Sequence, residues 1–168
     1  MKLQAAHTTN THWPWQSAAA NGRKGELTMA LITRSQIVKA PVNEVFDAII
    51  DGANFAAWNP TVRSSRRLDS GEIGNGTRFE WKLRGFGKVV QELQEFSRPE
   101  RVRIVPQIKS LAGGHRFLLT AQGDRTRIDH ELEMQPKGAF RLFAPMMGAI
   151  GRKNLRDTAD ALQAHLEK

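Results

Sequence analysis

The segment from Ile37 to Pro60 constrains the fold more than any other part of this sequence. A strand-like run ends at Ala40, and Pro41 follows it. A proline cannot continue a β-ladder, but it suits the first turn of a helix. The next residues have the three-four spacing of an amphipathic helix, with an apolar stripe of Val42, Val45, Phe46, Ile49 and Ile50. We therefore predict a strand, a helix, and a second short helix that ends before Pro60.

Alternating residues after Pro60 predict a meander of about six antiparallel strands. The clearest strand runs from Thr77 to Arg84, where apolar and charged residues alternate without a fault. The run from Arg127 to Met134 alternates nearly as well, whereas Lys88 to Phe96 breaks the pattern and predicts a bulge. We expect Gly113-Gly114 to separate two strands, as glycine pairs do in turns.

A long helix from about Ala139 to Leu166 closes the chain. At a rise of about 1.5 Å per residue it would span about 40 Å, enough to cross a small domain. Pro145 predicts irregular first turns. The inner stripe of this helix is predicted to contain Met147, Ile150, Leu155, Thr158, Leu162 and Leu166. Segregated antiparallel strands and helices indicate the α+β class.

This order of elements resembles the START-like superfamily, also called SRPBCC or polyketide cyclase/dehydrase-like proteins. The resemblance covers Met29 to Lys168, and the segments Gly76–Trp81, Arg125–Ile128 and Arg152–Arg156 also match. It implies a helix-grip fold of the Bet v1/START type, in which a curved antiparallel sheet of about seven strands wraps around the C-terminal helix. Two short helices would lie between the first and second strands, and a cavity between sheet and helix would hold a ligand.

Residues 1–28 show neither a helical nor a strand period, so we divide the chain into a tail, 1–28, and a domain, 29–168. The tail is interpreted as disordered, or as translated upstream of a natural start at Met29. Alternatively, Trp13 and Trp15 serve to bind a partner. No apolar run is long enough for a secretory signal or a membrane span, so we expect a cytoplasmic protein without stable membrane insertion.

The residue inventory argues against several chemistries. The sequence has no cysteine and no tyrosine, which excludes disulfides, thiolate catalysis and a phenolic acid. None of the five histidines forms a zinc-binding pair, and no phosphate-binding or nucleophile-elbow motif is present. We therefore predict no metal, no cofactor and no catalytic residues, and we favour a binding protein over an enzyme.

The candidate ligand-binding residues lie on the inward faces of the predicted sheet and last helix. They are Trp58, Phe79, Trp81, Phe117, His130, Leu132, Met147 and Ile150. His130 is the most informative, because a buried imidazole without a partner would cost on the order of 1–3 kcal/mol. Either it binds a ligand or acts as a general base, or it is a core histidine bonded to a neighbouring backbone group. His115 raises the same question more weakly.

Three functions remain open from the sequence. The first is binding or carrying a small hydrophobic molecule, such as a lipid, polyketide or aromatic, which the resemblance implies. The second is a cyclase/aromatase-type enzyme, with His130 or a carboxylate taking a proton. The third is a protein- or RNA-interaction module that uses the basic surface, since the net charge is +8. Dispersed charges without interleaved aromatics argue against nucleic acid, and a homodimer is left open.

Overall fold

The computed structural model describes residues 30–168, so the expectations for the tail lie outside the described residues. The strands are β1 (Ala30–Val38), β2 (Val62–Arg67), β3 (Arg78–Leu83), β4 (Gly87–Ser97), β5 (Arg101–Pro106), β6 (Leu111–Gln122) and β7 (Arg125–Pro136). The α-helices are α1 (Val42–Ile50) and α2 (Ala144–Leu166), and 3-10 helices span Phe55–Ala57 and Gly138–Phe143.

The seven strands form one antiparallel sheet in the order β1-β7-β6-β5-β4-β3-β2. The first strand thus pairs with the last, and Ala30 lies opposite Met134. Helix α2 packs mainly against β1 and β7. A curved antiparallel sheet with a long C-terminal helix confirms the α+β helix-grip fold that the sequence predicts.

The chain turns from β1 into α1 at Pro41, as expected from the sequence. Pro41 has an extended backbone, and its carbonyl accepts the first helical hydrogen bond from Val45 at 3.1 Å. The carboxylate of Glu44 lies in the first turn, where it complements the helix dipole. The buried face of α1 carries Val45, Phe46, Ile49 and Ile50. The second predicted helix is only the 3-10 turn Phe55–Ala57.

The main core lies at the α1 end of the sheet. There Phe46 and Ile49 from α1 belong to one buried cluster with Phe117 from β6 and Leu162 from α2. A second, smaller cluster lies under the first half of α2 and includes Leu132, Met134, Met147 and Leu155. At the opposite end of the sheet, where β3, β5 and β7 end, side chains fill less of the space between the sheet and α2. The candidate site lies there.

The expectation that Gly113-Gly114 separates two strands is wrong, because both glycines lie inside β6. Gly113 has φ +115°, and a Cβ there would lie 2.1 Å from the carbonyl oxygen of Glu133 on β7. A Cβ on Gly114 would lie 2.4 Å from the carbonyl oxygen of Ile104 on β5. The pair therefore allows three strands to approach closely.

The other irregular segments occur where the sequence predicts them. The register of β4 shifts between Gln94 and Ser97, and Glu95 adopts φ 49°, which is the bulge expected from the broken alternation. The last helix begins as the 3-10 segment Gly138–Phe143 and becomes α-helical at Ala144. Pro145 then occupies the first α-helical turn, where its missing N–H has no partner to lose.

Candidate functional site: an apolar cavity with a histidine pair

A cavity of about 700 Å³ lies between the sheet and α2, at the end away from α1. Its wall is predominantly apolar and combines side chains from several strands with the first turns of α2. Representative lining residues are Phe55, Trp81, Ile104, Phe117, Leu132 and Met147. The cavity exists because α2 packs on β1 and β7 at one edge of the sheet and leaves space over the strands β3 to β6.

The alternation of β3 positions Trp81 in the cavity wall. Its indole Nε1 donates a hydrogen bond of 3.0 Å to the carbonyl of Gly52, just after α1. Its ring stacks on Phe55, with centroids 4.3 Å apart. These two contacts satisfy the polar atom and fix the ring plane, so Trp81 forms a rigid apolar surface at the inner end of the cavity.

Two histidines on neighbouring strands form the most polar part of the wall. His115 Nδ1 lies 2.8 Å from His130 Nε2, within hydrogen-bond distance. His115 is half-buried and lines the cavity, whereas His130 is buried behind it. The ring of Phe117 stacks on His130 at 4.0 Å. His130 can therefore lie on the inward face of β7 because its ring nitrogen has a hydrogen-bond partner, the imidazole of His115.

Both imidazoles are neutral at neutral pH. Burial lowers the pKa of His115 to about 4. Burial, and secondarily the neighbouring His115, hold the pKa of His130 well below its ordinary value. In a neutral pair one ring donates its N–H and the other accepts it. Because Nδ1 of His115 is engaged in this bond, its Nε2 is the ring nitrogen left for a molecule in the cavity.

A few other polar groups line the cavity. The Oδ1 atom of Asn59 accepts hydrogen bonds from the backbone and hydroxyl of Thr61, at 2.9 and 2.6 Å, so this acceptor is already occupied. Gln91 is buried on β4 and lines the cavity, and no hydrogen bond joins its side chain to another residue within residues 30–168. Its amide is thus available to a ligand, in addition to His115.

The structure brings five of the eight predicted site residues to the cavity and leaves three outside its lining. Trp81, Phe117, Leu132, Met147 and Ile150 line it. The remaining three have other environments: Phe79 packs on Gly52, Trp58 packs on Phe55 and lies near His165, and His130 stands behind His115. Ile150 is 54% exposed and lies at the mouth rather than on the buried face of α2.

Sequence reasoning missed Gln91, although a signal for it exists. Gln91 lies between Val89 and Leu93 in β4, and all three are buried. A polar residue at an inward position of an otherwise apolar face is the pattern that drew attention to His130. The irregular alternation of this strand concealed it. His115 was underrated because its strand was expected to begin there, whereas β6 starts at Leu111.

Within residues 30–168, no three His, Asp or Glu side chains cluster in a way that could hold a metal ion. Over the same residues, neither helix combines the length and the apolar character that crossing a membrane requires.

The sheet that grips α2, with a cavity between them, defines a START-like protein. A family model described as polyketide cyclase / dehydrase and lipid transport matches residues 29–167, and the chain belongs to this family. Comparison with the curated proteins gives no match.

Solved structures share the fold at low sequence identity. A START superfamily protein from Mycobacterium smegmatis has a TM-score of 0.71 and 17% identity, covering 82% of this chain and 97% of that one. The Zhui aromatase/cyclase from Streptomyces sp. R1128 has a TM-score of 0.69 and 13% identity, covering 83% and 94%. A norcoclaurine synthase from Thalictrum has a TM-score of 0.63 and 12% identity, covering 84% and 96%.

Proposed function

We propose that the protein binds or carries a small hydrophobic molecule in the cavity, of the lipid, polyketide or aromatic class. The observation that carries this proposal is the cavity itself, at about 700 Å³. Small-molecule sites measure about 300–1,000 Å³ and are mostly apolar with a few polar groups. A cavity of this size with an apolar wall suits a ligand that water dissolves poorly.

The polar groups in the cavity wall restrict the chemical class of ligand further. His115 Nε2 can donate or accept one hydrogen bond, and the Gln91 amide can donate through its NH2 group and accept through its oxygen. Burial keeps His115 uncharged, with a pKa of about 4. The only lysine or arginine among the lining residues is Arg84, which is exposed at the mouth. A ligand with an uncharged hydroxyl or carbonyl at its inner end therefore fits better than one with a buried carboxylate.

Native mass spectrometry tests whether the cavity is used. Protein purified without detergent is compared under native and denaturing conditions, and we expect a reproducible small-molecule adduct in the native spectrum alone. The neutral fluorophore N-phenyl-1-naphthylamine then serves as a defined probe, and we expect its emission to rise on binding and to fall when the natural ligand displaces it.

A pair of variants on α2 locates the binding. Asn154 is half-buried and lines the cavity, so Asn154→Phe should fill it and reduce probe affinity by at least about tenfold, because the apolar contact area is lost. Ala164 is exposed on the same helix, and Ala164→Phe should leave the affinity unchanged. The proposal would be contradicted if both variants bound the probe with equal affinity and the native spectrum showed the protein mass without an adduct.

The second candidate is a cyclase-type enzyme, and the histidine pair is the observation in its favour. The names of two solved proteins with this fold, an aromatase/cyclase and a norcoclaurine synthase, describe enzymes. The low pKa of His115, about 4, makes it a weak base at neutral pH, since general bases work best with a pKa near the working pH. We therefore rank catalysis below binding.

The variant His115→Gln separates these two functions. If His115 takes a proton from a poly-β-ketone substrate, the variant should lose cyclised product by about 100-fold or more while still binding the probe. If His115 only anchors a ligand, binding weakens and no cyclised product is seen for either protein. Product formation that is equal in both proteins would exclude His115 as the base.

A further inference from the structure

The cavity mouth is surrounded by exposed apolar side chains. Phe86, Phe140, Phe143, Met146 and Ile150 line the cavity, yet between 38% and 55% of each side chain is exposed. Leu142 lies in the same 3-10 segment as Phe140, does not line the cavity, and is 83% exposed. A large contiguous apolar surface of this kind marks an interaction site. We call these six residues the mouth patch.

Three of the connections at this end of the molecule carry positive charge only. They are residues 84–86 between β3 and β4, 107–110 between β5 and β6, and 137–143 between β7 and α2. They contain Arg84, Lys109, Lys137 and Arg141 and no aspartate or glutamate. None of these four cations forms an ion pair with another described residue.

The opposite end has a different composition. The connection from β4 to β5 contains Glu100, and that from β6 to β7 contains Asp124. The mouth end is therefore distinguished from the far end by two features together, exposed bulky apolar side chains and cations without carboxylate partners in the described chain. The exposed apolar side chains and the cations lie on the same end of the molecule, around the opening of one cavity.

We propose that the mouth end docks on an anionic lipid bilayer. Leu142 and its neighbours in the mouth patch would enter the boundary between headgroups and acyl chains, and Arg84, Lys109, Lys137 and Arg141 would contact lipid phosphates. An amphipathic segment with aromatic and aliphatic residues on one side and Lys or Arg beside them binds an interface in this way. Anionic lipids attract each basic residue near the surface.

An anionic bilayer matches both features of the mouth end, because its apolar interior lies directly beneath a layer of phosphate groups. The opening of the cavity within the docked surface would also let an apolar ligand pass between bilayer and protein without crossing water. That last step rests on the proposed function, whereas docking itself does not. The two proposals can therefore fail separately.

Vesicle flotation of the full chain tests the docking. We expect the protein to float with vesicles of equal parts phosphatidylglycerol and phosphatidylcholine, to bind pure phosphatidylcholine far less, and to dissociate as salt rises. Leu142→Ser should weaken binding about tenfold, because its exposed side chain supplies much of the inserted area. Arg141→Gln should weaken it about fivefold, the effect of one basic residue at an anionic surface.

Matched variants at the far end provide the controls. Ile37 is 50% exposed on β1, where it pairs with Arg127, and Arg125 begins β7 beside the far connection. Ile37→Ser and Arg125→Gln should bind phosphatidylglycerol vesicles like the unchanged protein. Neither change touches the cavity lining, so probe binding should also persist.

Several results would overturn the docking proposal. These are no binding to phosphatidylglycerol vesicles, equal binding to both vesicle types, or the same loss in mouth and far-end variants. Sedimentation of the unchanged protein and of Leu142→Ser tests for a competing occupant. If the unchanged protein self-associates, the variant does not, and neither binds vesicles, the mouth patch contacts a second copy of the chain. A protein that binds the probe but no vesicle retains the proposed function and loses only this inference.

Discussion

At the scale of single residues, the histidine pair has the clearest physical signature. His115 and His130 share one hydrogen bond of 2.8 Å between β6 and β7, and burial keeps both rings uncharged. The pattern of β7 places His130 on the inward face, and the cost of an unpaired buried imidazole requires a partner. The sequence could not identify that partner, since it depends on the register that sets Phe117 opposite His130.

Mild acid should destabilise the protein through this pair. The pKa of His115 is lowered from 6.5 to about 4, so the unfolded chain takes up the proton before the folded one. The free energy of unfolding therefore falls as the pH drops below about 6.5, by about 2 kcal/mol near pH 5 from His115 alone. The lowered pKa of His130 adds to this effect. Urea denaturation at stepped pH measures it.

Carboxylates act in a lower pH range and can be separated from the pair. The pKa of Glu95 is lowered, mainly by its hydrogen bond from Arg116, so its stabilising contribution is lost only below its ordinary value of 4.5. A double variant, His115→Gln with His130→Leu, should flatten the stability profile between pH 7 and pH 5 by at least about 2 kcal/mol. His165→Gln, at an exposed histidine, serves as the control. An unchanged slope in the double variant would refute the assignment.

At the scale of elements, alternation and proline predicted most of the strands and helices. The prediction of β3 and β7 succeeded because each carries charged residues on one face and apolar residues on the other. Pro41 marked the start of α1. The start of β6 was missed because a glycine pair reads as a turn in the sequence, whereas here it allows close approach of neighbouring strands, which only the assembled sheet reveals.

The cavity was harder to predict than the strands around it. Periodicity identifies which residues face inward, but the distance between α2 and the sheet depends on contacts remote in sequence. A Cβ on Gly151 would lie 2.6 Å from Ile32 Cδ1 on β1 and 2.8 Å from Met134 Sδ on β7. The helix thus meets the sheet edge at Gly151, and Met147, Ile150 and Asn154 around this contact line the open space.

Substitution of Gly113 should distinguish a strand glycine from a turn glycine. Gly113→Ala combines φ +115° with a contact of 2.1 Å to the Glu133 carbonyl, and we expect a loss of about 3 kcal/mol or more in the free energy of unfolding. Gly123 has φ +68° in an open turn, and Gly123→Ala should lose only about 1 kcal/mol. Chemical denaturation compares them; equal losses would show that β6 is not clamped between its neighbours.

An ion-pair network on the outer face of the sheet should contribute to its stability. Arg116 on β6 contacts Glu95 at 2.9 Å, Glu131 at 3.0 Å and Glu133 at 3.2 Å. The side chain of Glu131 is only 8% exposed, so Arg116→Met leaves its charge buried with no cation in place of the arginine. We expect a loss of about 2 kcal/mol in the free energy of unfolding.

A second arginine variant tests whether burial is the reason. Arg127 pairs with Asp129 at an exposed site on β7, and Arg127→Met should leave the stability unchanged, as is usual for surface ion pairs. Denaturation in low and high salt adds a check, because a partly buried network is screened less than an exposed pair. If Arg116→Met has no effect either, the network is only a surface feature.

At the scale of the whole molecule, we predict that residues 29–168 fold without the preceding segment. The family model matches residues 29–167, and β1 begins at Ala30. A chain starting at Met29 should therefore unfold in one cooperative transition with the midpoint of the full chain. Calorimetry of both chains, with a Trp13→Ala/Trp15→Ala full-length control, measures this. A lower midpoint for the shorter chain would assign residues 1–28 a structural role.

The pairing of β1 with β7 has a consequence for biosynthesis. Ala30 on β1 lies opposite Met134 on β7, so most of the domain's sequence lies between the two paired strands. A nascent chain on the ribosome presents β1 long before β7, its partner in the described sheet, has been made. Pairings this remote slow folding, because a large loop must close first. The domain therefore completes its sheet, and acquires its cavity, only after β7 and α2 have been translated.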